Sequence, residues 1–169
     1  VMQQTNRRRV IRLLRIVRQA GDVKRLSDAH LRVEHALCAS CQTFNLRRTI
    51  YADAQGRYQF RSIMPKGYGC PPDGPTQGLL NELGRHGNRP AHIHFFVTAP
   101  GHRKLTTQIN IDGDPLVYDD FAYATRDGLV PPLTEHTDPA RIAAENLDGP
   151  FAEIVFDISL TPLVDGKDN

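Results

Sequence analysis

The chain has 169 residues, 40% of them hydrophobic and 24% charged, and a formal net charge of +2. That length buries the core of one domain, and the composition is that of an ordinary soluble globular protein, not of a disordered or collagenous one. No apolar run reaches the length of a membrane span, and the first residues lack the apolar centre and small-residue cleavage site of a signal peptide. Cys38, Cys41 and Cys70 are an odd number of cysteines, which argues against a disulfide framework and for a reducing compartment, the cytoplasm.

The charge is unevenly spread. Residues 1–41 balance to +6 and the remainder to −4, and no Tyr or Phe precedes Phe44. This shift divides the chain into a basic segment, 1–41, and a main domain, 42–169. In the basic segment Val10, Leu13, Leu14 and Val17 recur at helical spacing, which predicts a helix over 8–20 stopped by Gly21. A second helix is predicted from Ser27 as N-cap to about Leu37.

From residue 42 the signals are those of a β protein. Asn45–Ala52 reads as a strand, Asp53-Ala54-Gln55-Gly56 as a hairpin turn, and Arg57–Ile63 as an alternating strand. Met64–Pro90 is rich in Gly and Pro and only Thr76–Leu83 reads as helical, closed by Gly84. A connection this long is usually a binding or active-site loop. Strands follow at Ala91–Ala99 and Lys104–Ile111, hinged by Pro100-Gly101, and then a turn at Asp112-Gly113-Asp114. Short helices are predicted at Asp120–Arg126 and from Pro139 to about Asn146, and Phe151–Leu160 reads as one long final strand. The fold class is mainly β, an antiparallel sandwich or barrel with long loops, a few short helices and an N-terminal helical segment.

The densest chemical signal is Arg89-Pro90-Ala91-His92-Ile93-His94. In a strand, residues i and i+2 share a face, so His92 and His94 present two imidazoles to one metal ion while Ile93 and Phe95 face the other way. Arg89 adds a fixed positive charge nearby. Tyr68, between Gly67 and Gly69 in the long loop, is a candidate phenolate ligand, and phenolate oxygen with imidazole nitrogen favours ferric iron over zinc or calcium. Gln108, on the strand after the histidine strand, is a candidate hydrogen-bonding partner in the same cleft.

Four segments carry a family resemblance. They are Phe44-Asn45-Leu46-Arg47-Arg48-Thr49-Ile50, Pro65-Lys66-Gly67-Tyr68-Gly69-Cys70-Pro71-Pro72, Gly84-Arg85-His86-Gly87-Asn88-Arg89-Pro90-Ala91-His92-Ile93-His94-Phe95 and Gly101-His102-Arg103-Lys104-Leu105-Thr106-Thr107-Gln108-Ile109-Asn110. With Tyr118-Asp119-Asp120-Phe121-Ala122 they make residues 42–168 resemble the intradiol ring-cleaving dioxygenases, in particular those acting on catechol. The resemblance implies a β-sandwich holding a mononuclear non-haem Fe(III) between two Tyr and two His. It also implies cleavage of catechol by O2 to cis,cis-muconate, and full-length subunits paired as a homodimer. By position, Tyr68, His92 and His94 match metal ligands, Tyr68 being the one that leaves when substrate binds. Arg89 and Gln108 match residues that stabilise charge on the activated ring, and Phe121 and Ala122 match residues lining the ring pocket.

The sequence departs from this family's pattern in three respects. The first Tyr ligand is expected a dozen or so residues before Phe44, where the chain has Arg32, Val33 and Glu34. Glu34 and Tyr51 are the substitutes at hand. The chain also lacks Trp, and the helical linker that pairs subunits is not recognisable. These departures predict that residues 1–41 come from a shifted reading frame and that the chain is a fragment. The rival expectation is an inactive dioxygenase-like domain whose basic segment binds zinc, through His30, His35, Cys38 and Cys41, or nucleic acid. No nucleic-acid partner is expected on the leading interpretation.

Overall fold

The computed structural model describes residues 10–19, 26, 29–35 and 47–164. Among these, eleven strands and two short helices form two sheets and a small ribbon. One sheet joins β1 (Val10–Gln19), β4 (Arg57–Ile63), β9 (Leu133–His136), β10 (Phe151–Val155) and β11 (Ile158–Leu160). The other runs in the order β3 (Arg47–Tyr51), β2 (His30–His35), β7 (His92–Thr98), β8 (Leu105–Asn110). The ribbon pairs β5 (Tyr68–Gly69) with β6 (Asn88–Arg89).

The core lies between the two sheets. Ile93, Phe95 and Val97 are fully buried on β7, and Leu31 and Ile109 join them from its neighbours. Leu13, Tyr58, Ile154, Ile158 and Leu160 come from the other sheet. Phe95 packs edge-on to Phe60 at 6.3 Å between ring centroids and lies 6.2 Å from Phe156. Burial drives the Tyr58 phenol well above its ordinary pKa, and its hydroxyl donates to the Phe156 carbonyl at 2.5 Å. The alternation of β7 does the positioning. With its odd residues in the core, His92 and His94 lie on the outer face of the sheet.

Three expectations change. The helix over 8–20 is strand β1, antiparallel to β4 and parallel to β10 and β11. Its apolar residues fit a helical period, but Val10, Ile11, Ile16 and Val17 are β-branched, and ladders on both edges override local propensity. The helix from Ser27 to Leu37 is likewise replaced by β2, where Leu31 and Val33 alternate with polar neighbours at the period of a strand. Residues 120–126 form no helix: Phe121 and Ala122 make a turn and the rest is irregular, because the Asp120 carboxylate accepts the N–H groups of Ala122 and Ala124.

Other elements differ in extent. The final strand divides into β10 and β11, which pair with successive halves of β1 across a break at Phe156-Asp157. Strand β9, just after Pro131-Pro132, has no counterpart among the sequence expectations. Helices α1 (Pro75–Glu82) and α2 (Pro139–Ala144) stand where expected. The side chain of Asp138 caps α2 by accepting the N–H groups of Ala140 and Arg141. Among the described residues no helix is long and apolar enough to cross a membrane.

Candidate active site

The site is built on the outer face of β7 and β8. Opposed residues of an antiparallel pair share a face, so His92 with Asn110 and His94 with Gln108 put four polar side chains on one patch. Over this patch lies the β5–β6 ribbon, whose register sets Tyr68 opposite Arg89. Gly67 makes that approach possible, since a Cβ there would lie 2.6 Å from the backbone oxygen of Arg89. The Tyr68 and His92 rings are 5.5 Å apart between centroids, and those of His92 and His94 are 4.8 Å apart and nearly perpendicular.

His92 is fully buried. Its Nδ1 donates to the Pro90 carbonyl at 2.7 Å, which fixes the tautomer and leaves the Nε2 lone pair for another partner. Burial holds its pKa down at about 4, with smaller help from the charges of Arg89 and His94 and against an upward pull from the Pro90 hydrogen bond. The ring is therefore neutral at ordinary pH, the form that binds a metal. Tyr68 is 37% exposed, so its phenol reaches both the cluster and solvent.

Arg89 occupies the centre. Its Nε and Nη2 donate to the two carboxylate oxygens of Asp120, both at 3.1 Å, and Nη2 also donates to Gln108 Oε1 at 3.0 Å. Nη1 lies 3.3 Å from His92 Nε2. Gln108 Nε2 in turn donates to Asn110 Oδ1 at 2.8 Å, and Asn110 Nδ2 to Thr125 Oγ1 at 2.7 Å. Desolvation works against both charges of the Arg89–Asp120 pair. It is outweighed by their mutual hydrogen bonds, which raise the Arg89 pKa and lower that of Asp120. His92, Gln108, Asn110 and Asp120 are the buried polar side chains among the described residues, and all four belong to this network.

The structure thus gathers Tyr68, Arg89, His92, His94 and Gln108 in one place. Phe121 and Ala122 lie beside them in the turn after Asp120, where the Phe121 N–H donates to the Asn88 carbonyl. Asp120, Asn110 and Thr125 are members that motif reading missed. Of the two substitutes for a first Tyr ligand, Tyr51 is 67% exposed at the end of β3, in register with His30 and one strand removed from β7. Glu34 lies on β2 in direct register with His94. His30 and His35 begin and end β2, while Cys38 and Cys41 lie outside the described residues. Cys70 is a free thiol.

A family model described as Dioxygenase matches residues 27–162. The chain belongs to the intradiol dioxygenase family. The catechol 1,2-dioxygenase of Acinetobacter baylyi is 69% identical over 128 residues, 76% of this chain and 41% of that protein. A solved structure of catechol 1,2-dioxygenase from Acinetobacter sp. ADP1, inhibited by bound mercury, superposes with a TM-score of 0.90. That match has 54% identity and covers 99% of this chain and 57% of the other. The 3-chlorocatechol 1,2-dioxygenase of Rhodococcus opacus 1CP superposes at 0.81 with 25% identity, covering 96% of this chain and 64% of the other. The chain thus spans about two-fifths of the curated relative's length.

Proposed function

We propose that this dioxygenase chain cleaves catechol with O2 to cis,cis-muconate at a mononuclear ferric centre whose ligands include Tyr68, His92 and His94. The observation that carries the proposal is the gathering of all four buried polar residues among the described ones into one network that reaches the Tyr68–His92–His94 cluster. Burying polar groups costs free energy, and a core this apolar would hold the sheet together without them. The donor set fits the ion. A neutral imidazole with a fixed tautomer, a second imidazole on the same face and a phenol are hard-to-borderline donors that suit ferric iron.

Bound there, ferric iron supplies the Lewis acidity that deprotonates a catechol and makes its ring reactive toward O2. The protein's own groups do the rest. Tyr68 is 37% exposed and would both help hold the iron and offer its oxygen as an acceptor for a catechol proton. Arg89 Nη1 faces the cluster and places a permanent positive charge where negative charge develops on the ring oxygens. Gln108 keeps that guanidinium from swinging away. Phe121 and Ala122 flank the ring and limit water. The same interpretation carries a cytoplasmic location and a homodimer for the whole protein.

The test loads the purified chain with ferric iron, titrates catechol without O2 and follows visible catecholate-to-iron absorption. O2 is then admitted and the product identified by chromatography. The expected result is absorption that grows to saturation, formation of cis,cis-muconate, and loss of both in His92→Ala. Absent iron binding, or a product cleaved outside the two hydroxyls, overturns the proposal. A second interpretation, a binding-only domain, draws on Arg32, Val33 and Glu34 standing in β2 where the family resemblance calls for a Tyr. Saturable absorption without product is the outcome that selects it.

A further inference from the structure

We propose that Asp120 is the positioning residue for Arg89, clamping one edge of its guanidinium so that Nη1 alone is presented to the substrate. A guanidinium has five N–H donors in a rigid plane. Asp120 takes Nε and one hydrogen of Nη2, and Gln108 takes the other hydrogen of Nη2. Nη1 meets neither of them and lies 3.3 Å from His92 Nε2, the longest of these contacts, while the Tyr68 side chain adds a further hydrogen bond to the guanidinium. The clamp is itself clamped. Oδ1 of Asp120 also accepts the Ala122 N–H at 3.1 Å, and Oδ2 the Ala124 N–H at 3.2 Å. Only 4% of Asp120 is exposed. A carboxylate with four donors around it has no rotamer to escape to, and a bidentate partner fixes the plane as well as the position of the guanidinium. The Gln108–Asn110–Thr125 chain fixes the second contact in the same way, because Asn110 accepting from Gln108 Nε2 obliges Gln108 to present its oxygen to Arg89.

This inference rests on the proposed function for its consequence and on the geometry alone for its cause, so the test has two arms. The first needs no iron. In the wild-type chain the Arg89 Nε–H gives a nitrogen-15 NMR signal protected from solvent exchange, assigned by its loss in Arg89→Leu. Asp120→Asn, which keeps the shape and one of the two backbone contacts because its Nδ2 cannot accept an N–H, is expected to speed its exchange at least tenfold, and Asp120→Glu to restore part of the protection. The second arm measures anaerobic catechol affinity of the ferric chain. Asp120→Asn is expected to weaken it roughly 10- to 100-fold, as loss of residues that orient a site does. The same change on top of Arg89→Leu should add less than about twofold, since a residue acting through another has no effect once that other is gone. An unchanged Arg89 signal in Asp120→Asn, or effects of the two substitutions that multiply, overturns the inference. A wild-type chain without catecholate absorption strikes the proposed function, while the first arm still decides whether Asp120 holds Arg89.

Discussion

Gly67→Ala tests how Tyr68 reaches the cluster. The Cβ of alanine would sit 2.6 Å from the Arg89 backbone oxygen, and 3.6 Å from Ala91 N and Pro90 C. A Cβ atom essentially never comes within 3.0 Å of another heavy atom in this way, so something must yield. Arg89 leads directly into β7, whose core residues are fully buried, and cannot yield cheaply. Strand β5, two residues long, is the softer side of the contact. Restoring an ordinary contact moves the Tyr68 strand by roughly 0.4–0.8 Å, and displacements near 1 Å at a site cost on the order of 100-fold.

Gly67→Ala is therefore expected to weaken ferric binding by about 10- to 100-fold. The overpacking costs about 1–3 kcal/mol, read as a Tm lowered by several degrees. Metal titration and thermal unfolding measure the two effects separately. Gly78→Ala is the control. It lies inside α1, its added Cβ meets nothing within 4 Å, and relief of glycine's entropy cost should stabilise the chain by about 0.5–1 kcal/mol with iron affinity unchanged. Wild-type iron affinity in Gly67→Ala, with Gly78→Ala behaving as stated, would refute the steric reasoning.

Phe95→Ala removes a fully buried ring between the sheets and should cost about 3–5 kcal/mol in urea unfolding. Asn110→Leu leaves Gln108 Nε2 without its acceptor and Thr125 without its donor, each at about 1–3 kcal/mol, and frees the Gln108 amide to rotate, so stability and catechol affinity should fall together. Asp138→Ala uncaps α2 at about 0.5–2 kcal/mol and should leave catechol affinity as it was. The Asp120 carboxyl is held below its ordinary value of 3.8, so its stabilisation is fully present above that pH and is lost as pH falls through the lower folded value. The stability advantage of wild type over Asp120→Asn should accordingly be flat near neutrality and shrink in acid below pH 3.8, as read by urea unfolding across pH.

Strands β3, β4, β7 and β8 were legible because alternation and turn chemistry agreed. Asp53 to Gly56 sits between β3 and β4 as a turn, with Gly56 at φ 70° and the Asp53 carboxylate accepting the N–H groups of Gln55 and Arg57. Strand β1 was not legible. Its apolar residues satisfy a helical period as well as a strand content, and only β4 on one edge and β10 and β11 on the other decide between them. The break between β10 and β11 was hidden for a related reason. Register with β1 continues across it, from Leu14 with Val155 to Val17 with Ile158, so the alternation never slips. What marks the break is a tertiary contact, the Tyr58 hydroxyl on the Phe156 carbonyl.

The site divides along the same line. His92 and His94 announce themselves by spacing, and Tyr68 by the glycines that let its strand approach Arg89. Asp120 carries no such mark. In the sequence it is one acidic residue among Asp119, Asp120 and Asp127, in a stretch that reads as a short helix. Its neighbour Asp119 has a side chain 77% exposed, that of Asp120 is 1% exposed, and nothing local distinguishes the two. The difference is which one meets Arg89, a residue 31 positions away. Buried charge persists only where a partner and hydrogen bonds offset its desolvation. The informative quantity is therefore burial of a polar side chain, and it exists only once β6 and the turn after residue 118 are brought together. The proposed ligands can be read from motifs because metals impose spacing. Residues that aim a cation at a substrate are imposed by packing, and they become visible only in three dimensions.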